Sequence, residues 1–288
     1  MKLRNDLRDK VFAAAQRNAK DWRRAHLGAS AIGEECLRKS WHAYRWFADP
    51  EFSGRILLLF RRGHKEEELW EDDFNMVEEF KFVSTDDSGD QFSFSEIDGH
   101  YGGSIDGALF IQEYEGILYL VELKTYNKAR FAALAKSGVE ISDPKYYIQL
   151  QNYLGFTERK VALFWARCKD DDNIHCEEVE ADPDVYEESK EKAEYIIYTR
   201  TPPQKVSNSP SYYLCRWCSY NEICHKKVYP EEVNCRTCVH GNPSRIKVHG
   251  AAAEGKWICE RGVRKSPMDR ETQKKPCIHH GSILNILE

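Results

Sequence analysis

Nowhere in these 288 residues do roughly 18 apolar residues run together, so no segment has the length and hydrophobicity that a membrane span needs. The opening MKLRNDLRDK lacks the apolar stretch of a signal peptide. The expectation is a soluble, cytoplasmic protein, bacterial or phage-like in character. No internal repeat and no low-complexity tract is present, which excludes a repeat architecture. An excess of positive charge is missing too. Lys and Arg number 42 against 47 Asp and Glu, a net of -5, which argues against a surface that grips nucleic acid everywhere. The average hides an asymmetry. Residues 225–288 hold 12 Lys and Arg against 7 Asp and Glu, a balance of +5, so the rest of the chain carries -10. Attraction for phosphate must then come from local basic patches or from the tail.

What is present describes a globular chain: 41% hydrophobic residues, 12% aromatic and 31% charged. Its length suits one sizeable domain of the usual ~100–200 residues with a small module attached. We expect a division into residues 1–229 and 230–288. The ten cysteines are abundant for a reducing compartment, where they are read first as metal ligands rather than disulfides.

Apolar spacing of three and four predicts helices over about 4–25, 35–47 and 55–80. FKFVS (80–84), QFSFS (91–95), SIDGALFI (104–111) and ILYLVELKT (117–125) read as strands of a meander, separated by Gly- and Asp-rich turns. A helix at 144–156, strands at 160–168 and 174–180 and a helix at 184–198 follow, and Pro202-Pro203 stops the last. This order predicts an α/β fold of the α+β mixed-sheet kind, flanked by helices.

The most informative stretch is Asp106 followed sixteen residues later by Glu122-Leu-Lys124 in the next strand. Phosphodiester hydrolysis needs carboxylates to hold a hard cation, and a cationic group to orient water or meet developing charge. Glu122 and Lys124, two apart in a strand, share a face, while Leu123 points the other way with Val121 and Tyr119. Asp106 joins them if Tyr114-Glu115-Gly116 is a three-residue loop with Gly116 left-handed, which sets it opposite Lys124. A two-residue loop turns it away unless a bulge restores the register. Taken alone, Glu122 and Lys124 read equally as a solvated charge pair, His64 as a surface histidine, Tyr153 as packing and Gln149 as an exposed amide.

In order along the chain, however, His64 in GHKEEEL, Asp106, Glu122-Leu-Lys124 and Gln149-x3-Tyr153 resemble the active-site pattern of the PD-(D/E)XK nuclease superfamily, RecB-like branch. Ile105 stands where the eponymous proline would be. The resemblance implies a restriction-endonuclease-like core in which His64, Asp106 and Glu122 coordinate Mg²⁺ or Mn²⁺, with the Leu123 carbonyl as a further ligand. It implies that Lys124 touches the water nucleophile or the scissile phosphate, and that Gln149 and Tyr153 act from one face of a helix.

Cys215-Arg-Trp-Cys218-x5-Cys224, with Cys36 far upstream, resembles the iron–sulfur staple of AddB-type helicase-nucleases and CRISPR-associated RecB-like nucleases. Four thiolates suit a [4Fe–4S] cluster, and tetrahedral zinc would accept them as well; the resemblance favours iron. The second set is Cys235-Arg-Thr-Cys238 with Cys259 and Cys277, near His240, His279 and His280. A tail this short scarcely buries a core without a metal, and zinc is the natural choice. The other reading leaves Cys259 and Cys277 as isolated buried thiols. Cys168 and Cys176 fall on strand patterns as small hydrophobes.

These readings predict a metal-dependent deoxyribonuclease, an exonuclease processing DNA ends in replication, recombination or repair, with DNA and a helicase or recombination protein as partners. The Lys256-Trp257 pair of the tail suits phosphate attraction and stacking. The alternatives are a noncatalytic DNA- or protein-binding subunit with a vestigial site, or a structure-selective endonuclease. A vestigial site would have lost one of His64, Asp106, Glu122 and Lys124, and all four are present.

Overall fold

Two segments, LYLVELKTY and VALFWARC, are apolar on both faces, the pattern of strands buried between layers. They pair in parallel at the centre of the computed structural model, which describes residues 2–49, 51–114, 116–228, 233–248, 250 and 253–287. From the N-terminus, α1 (Lys2–Arg17), β1 (Leu27–Gly28), α2 (Ala29–Ile32), α3 (Leu37–Tyr44) and α4 (Gly54–Phe74) come first. Next are β2 (Phe80–Val83), β3 (Ser93–Glu96), β4 (Tyr101–Ser104), β5 (Gly107–Ile111) and β6 (Leu118–Tyr126). Then follow α5 (Lys128–Ser142), α6 (Pro144–Thr157), β7 (Val161–Cys168), β8 (Ile174–Glu180) and α7 (Pro183–Tyr198). The C-terminal part holds α8 (Asn221–Lys226), β9 (Gly241–Pro243), β10 (Trp257–Cys259) and α9 (Arg270–Lys274), with 3-10 turns at Cys235–Thr237 and Ile283–Leu287. No helix among the described residues is long and apolar enough to cross a membrane.

The main sheet runs β2-β5-β6-β7-β8, parallel at β6-β7 and antiparallel elsewhere. Helices cover both of its faces, giving the mixed, helix-flanked α/β architecture expected of a restriction-endonuclease-like core. On one face Tyr119, Val121 and Leu123 of β6 meet Trp70 and Phe74 of α4. On the other, Leu120 and Tyr126 meet Leu134 of α5 and Leu150, Tyr153 and Leu154 of α6. A third core joins Leu27, Trp41, Tyr44 and Phe47 to Ile196 and Ile197 of α7, and it also takes in Trp257, Met268, Ile283 and Leu284 from the C-terminal part.

Four elements differ from expectation, the first being α4, which ends at Phe74 rather than near Phe80, where β2 begins. α1 stops at Arg17 rather than near residue 25: the Asn18 side chain donates to Ala14 O at 2.9 Å, a local bond that competes with continued helix. The next apolar residues, from Trp22, pack sideways instead. SIDGALFI is not one strand. The chain bends at Asp106, and β4 belongs to a small sheet, β1-β4-β3, whereas β5 belongs to the main one, so the four strands form no single meander. Between 126 and 144 lies α5, capped by the Asn127 side chain on Arg130 N at 2.9 Å and kinked at Gly138, where φ is 73°. That left-handed residue breaks the apolar period and hides the helix from a pattern reading.

Candidate active site

β6 outruns β5. Their ladder runs from Phe110 opposite Leu118 to Gly107 opposite Val121, and β6 then continues alone on that side to Tyr126. The Asp106 carboxylate fills the place the next β5 carbonyl would take, its Oδ2 accepting from Leu123 N at 2.8 Å. Continued by one residue, the register sets Asp106 opposite Glu122, two residues from the pairing with Lys124 that a three-residue loop gives. A displacement of two preserves the face. Gly116 is left-handed at φ 85°, and Glu115 of the expected loop lies outside the described residues.

Glu122 is almost wholly buried, with 1% of its surface exposed. Its Oε1 pairs with Lys124 Nζ and accepts from Gln149 Nε2 at 2.9 Å, and the same Gln149 nitrogen donates to Tyr153 OH at 2.8 Å. Lys124 Nζ lies 3.5 Å from Asp106 Oδ2, donates to Leu123 O at 3.1 Å and sits 5.1 Å from the centre of the Tyr146 ring. Gly103 of β4 makes room for this arrangement, since a Cβ there would come within 2.9 Å of the Tyr153 ring. The second Glu122 oxygen, Oε2, is buried and has no hydrogen-bond partner.

The charges hold one another in defined states. Burial, with the Asp106 charge added, pushes the Glu122 carboxyl up to about 7 against the pull of Lys124. Burial alone would lower the Lys124 ammonium, but Asp106 and Glu122 outweigh it and hold the group well above its ordinary value. Lys124 is therefore charged at neutral pH. Burial also raises the Tyr153 phenol, with Glu122 adding to it.

His64 stands on α4 with 70% of its side chain exposed, its Nδ1 3.6 Å from Glu67 Oε2. Glu67 was missed by the sequence reading. Burial first, then Asp106, raises its carboxyl, while His64 and Lys124 pull it down, so it shares the field of the central cluster. The signal was present: Glu67 is one helical turn past His64 on the same face. Both line a groove of about 770 Å³ whose floor includes Leu123 and Lys124. Its described lining holds six Lys and Arg against three Glu, and of the six, Arg23, Lys39, Lys124 and Arg130 are ion-paired with carboxylates. Burial, and then Arg24, Arg236 and Arg270, hold the His26 ring down to about 4. One wall is aromatic, with Trp22, Phe52 and Phe60 meeting at centroid distances of 5.0–5.4 Å.

The structure thus brings Asp106, Glu122, Lys124, Gln149 and Tyr153 into contact and sets His64 on the groove wall, linked to them through Glu67. Two carboxylates, one of them with an unpartnered buried oxygen, and a carbonyl form an oxygen-rich donor set of the kind hard divalent cations take. Among the described residues, no three His, Cys, Asp or Glu side chains stand arranged to hold a metal ion. Cys36, at the start of α3, lies near enough to Cys215 and Cys224 for its charge to raise their thiols, burial being the larger cause in both, and Cys218 does the same. Cys235, Cys238, Cys259 and Cys277 line one small cavity with His240, His279 and His280. Cys168 is buried at the end of β7, and Cys176 lies exposed on β8 opposite Trp165.

No protein-family model matches the chain, and no curated protein does. Solved structures do. The alkaline exonuclease LHK-Exo from Laribacter hongkongensis is similar at 17% identity and a TM-score of 0.45, over 65% of this chain and 89% of that one. Its complex with dAMP gives 18% and 0.46 over the same shares. SSO0001 is similar at 16% identity and a TM-score of 0.41, over 79% of this chain and 98% of that one. Likeness at these levels fixes neither activity nor substrate.

Proposed function

We propose that the chain is a divalent-cation-dependent DNA nuclease, an exonuclease working on DNA ends in replication, recombination or repair. The observation that carries this is Glu122 Oε2, a buried carboxylate oxygen without a partner, beside Asp106 and Lys124, the last of which lines the groove. An unmet buried oxygen costs on the order of 1–3 kcal/mol, more when charged, and a hard cation would meet it. Asp106, Glu122, the Leu123 carbonyl and His64 would hold Mg²⁺ or Mn²⁺, which when bound polarises a phosphate oxygen and lowers the pKa of water.

The chain's own groups divide the remaining work. Lys124, kept protonated, orients the attacking water or meets charge developing on the phosphate. Gln149 and Tyr153 fix Glu122 in one rotamer through the bonds already described. The groove's cations attract the DNA backbone, and its aromatic wall offers stacking faces to unpaired bases. Cys36, Cys215, Cys218 and Cys224 would carry a [4Fe–4S] cluster that staples the two ends of the domain.

The test is cleavage of end-labelled linear, circular and single-stranded DNA with Mg²⁺ or Mn²⁺. Asp106→Ala and Lys124→Ala should each abolish cleavage while circular dichroism stays unchanged, because each removes a functional group from a preformed scaffold. Undiminished cleavage by either pure variant rejects the assignment. Wild-type protein that binds DNA but never cuts it would be a binding subunit instead.

A further inference from the structure

The knuckle Cys235-Arg-Thr-Cys238 is built before any metal is considered. Asn234 caps it, its Oδ1 accepting from Arg236 N at 2.9 Å and Thr237 N at 3.1 Å. The turn then closes with Cys238 N on Cys235 O at 3.3 Å and Gly241 N on Cys238 O at 3.0 Å. Two further turns start on cysteines: Gly262 N donates to Cys259 O at 3.0 Å, and His280 N to Cys277 O at 3.0 Å. The β9-β10 pairing sets Cys259 opposite Gly241, and a bridge sets Cys238 opposite Ser282. Three cysteine-headed turns therefore converge, and their four residues line one cavity of about 20 Å³. That is room for roughly a single water-sized occupant.

The lining of this cavity holds Arg261 and Arg264 and no carboxylate, and two more arginines are buried in the same layer. Arg236 is buried, with 1% of its surface exposed. It bonds only neutral groups, Gln273 Oε1 at 2.8 Å, Tyr44 O at 3.0 Å and Ala25 O at 2.9 Å, and it stacks 3.7 Å from the centre of the Trp46 ring. Arg45, equally buried, donates to Arg236 O at 3.0 Å, within the knuckle, and to Gly241 O at 3.5 Å, just past it. Among the described residues neither guanidinium has a carboxylate within ion-pair reach. Two unpaired buried cations are costly, and a fully buried charge persists where an opposite charge lies near. Four thiolates around a divalent ion carry two negative charges in excess.

We propose that Cys235, Cys238, Cys259 and Cys277 bind one zinc ion, and that the metal-bound knuckle, through Arg236, fixes the wall of the active-site groove. The thiols release their protons to solvent on binding, and the resulting anionic site lies beside Arg261 and Arg264 of the cavity lining. The side chains must turn to bind: Cys235 Sγ now points to Thr272 O at 3.8 Å. The link to the groove is direct. Arg236 holds Ala25 O, Arg270 holds Arg23 O, and Asn234 Nδ2 holds Trp46 O at 3.1 Å, while Trp46 Nε1 holds Arg24 O at 2.8 Å. The segment so gripped carries Trp22, Arg23 and Arg24 into the groove. None of this depends on the nuclease reading.

The experiment is elemental analysis of the full-length chain, followed by hydrogen exchange. Wild type and C176S should carry zinc in one equivalent more than C238S or C277S, and C277H should keep it, because imidazole replaces thiolate in tetrahedral zinc. Wild type without zinc, zinc undiminished in C238S and C277S, or iron lost in its place overturns the site. Stripping zinc from the wild type with a chelator should speed exchange of the amides of residues 22–28 by about tenfold, reversibly on adding zinc back. Exchange that ignores zinc overturns the link to the groove and reads independently of whether a variant folds.

Discussion

Replacing Glu122 by Gln tests the electrostatics of the site without removing volume. The amide can keep the bond from Gln149 but carries no charge. In the wild type the Glu122 carboxyl stands at about 7 against an ordinary 4.5, burial being the chief cause. A carboxyl raised by folding binds its proton more tightly in the native state. Stability is therefore fullest below pH 4.5, falls as pH rises towards 7, and levels off above it. The span of about 2.5 units at 1.36 kcal/mol each makes the loss about 3 kcal/mol. Glu122→Gln lacks this loss, so its stability minus that of the wild type should grow by about 3 kcal/mol between pH 4 and 8. Urea unfolding without divalent cations measures the difference, in which carboxylates remote from Glu122 cancel. Adding Mg²⁺ at pH 8 should then raise the midpoint of the wild type alone. Parallel pH curves for the two proteins would refute the argument, and with it the case for a destabilised, cation-seeking carboxylate.

Trp22→Ala, made in a cleavage-dead Asp106→Ala background, should weaken binding of single-stranded DNA by about 1–3 kcal/mol in fluorescence anisotropy, the usual loss of one stacking platform; unchanged affinity removes the aromatic wall from the binding site. Protein purified without oxygen should be brown and contain iron, and Cys218→Ala should lose the colour and unfold more easily, by on the order of 5 kcal/mol if the ~180-residue loop between Cys36 and Cys215 is released. Colourless protein whose only metal is zinc would end the cluster assignment.

The strand pair that carries the site could be read from the sequence because a period of two is insensitive to an even error. The loop between β5 and β6 differs from the expected one, yet Asp106, Glu122 and Lys124 still share a face. Gln149 and Tyr153 were readable for a similar reason, standing one turn apart on α6 and meeting through Nε2 and OH. What the pattern hid depended on bends and long-range contacts. Asp106 turns the chain from one sheet into another, and no local propensity distinguishes that from a straight strand. The left-handed Gly138 interrupts α5. Trp22 looked like one more apolar position of a helix, and only Phe52 and Phe60, some thirty and more residues later, give it another role.

The core that joins Leu27 and Trp41 to Trp257 and Leu284 spans nearly the whole chain. During synthesis its first members leave the ribosome long before their partners exist. Tyr44, Trp41 and Phe47 must wait, apolar and uncovered, until residues as late as Leu284 emerge. The central sheet, with its strands between 80 and 180, can pair meanwhile. Closure of this layer therefore follows the emergence of its last members, and until then its apolar side chains lie open to aggregation.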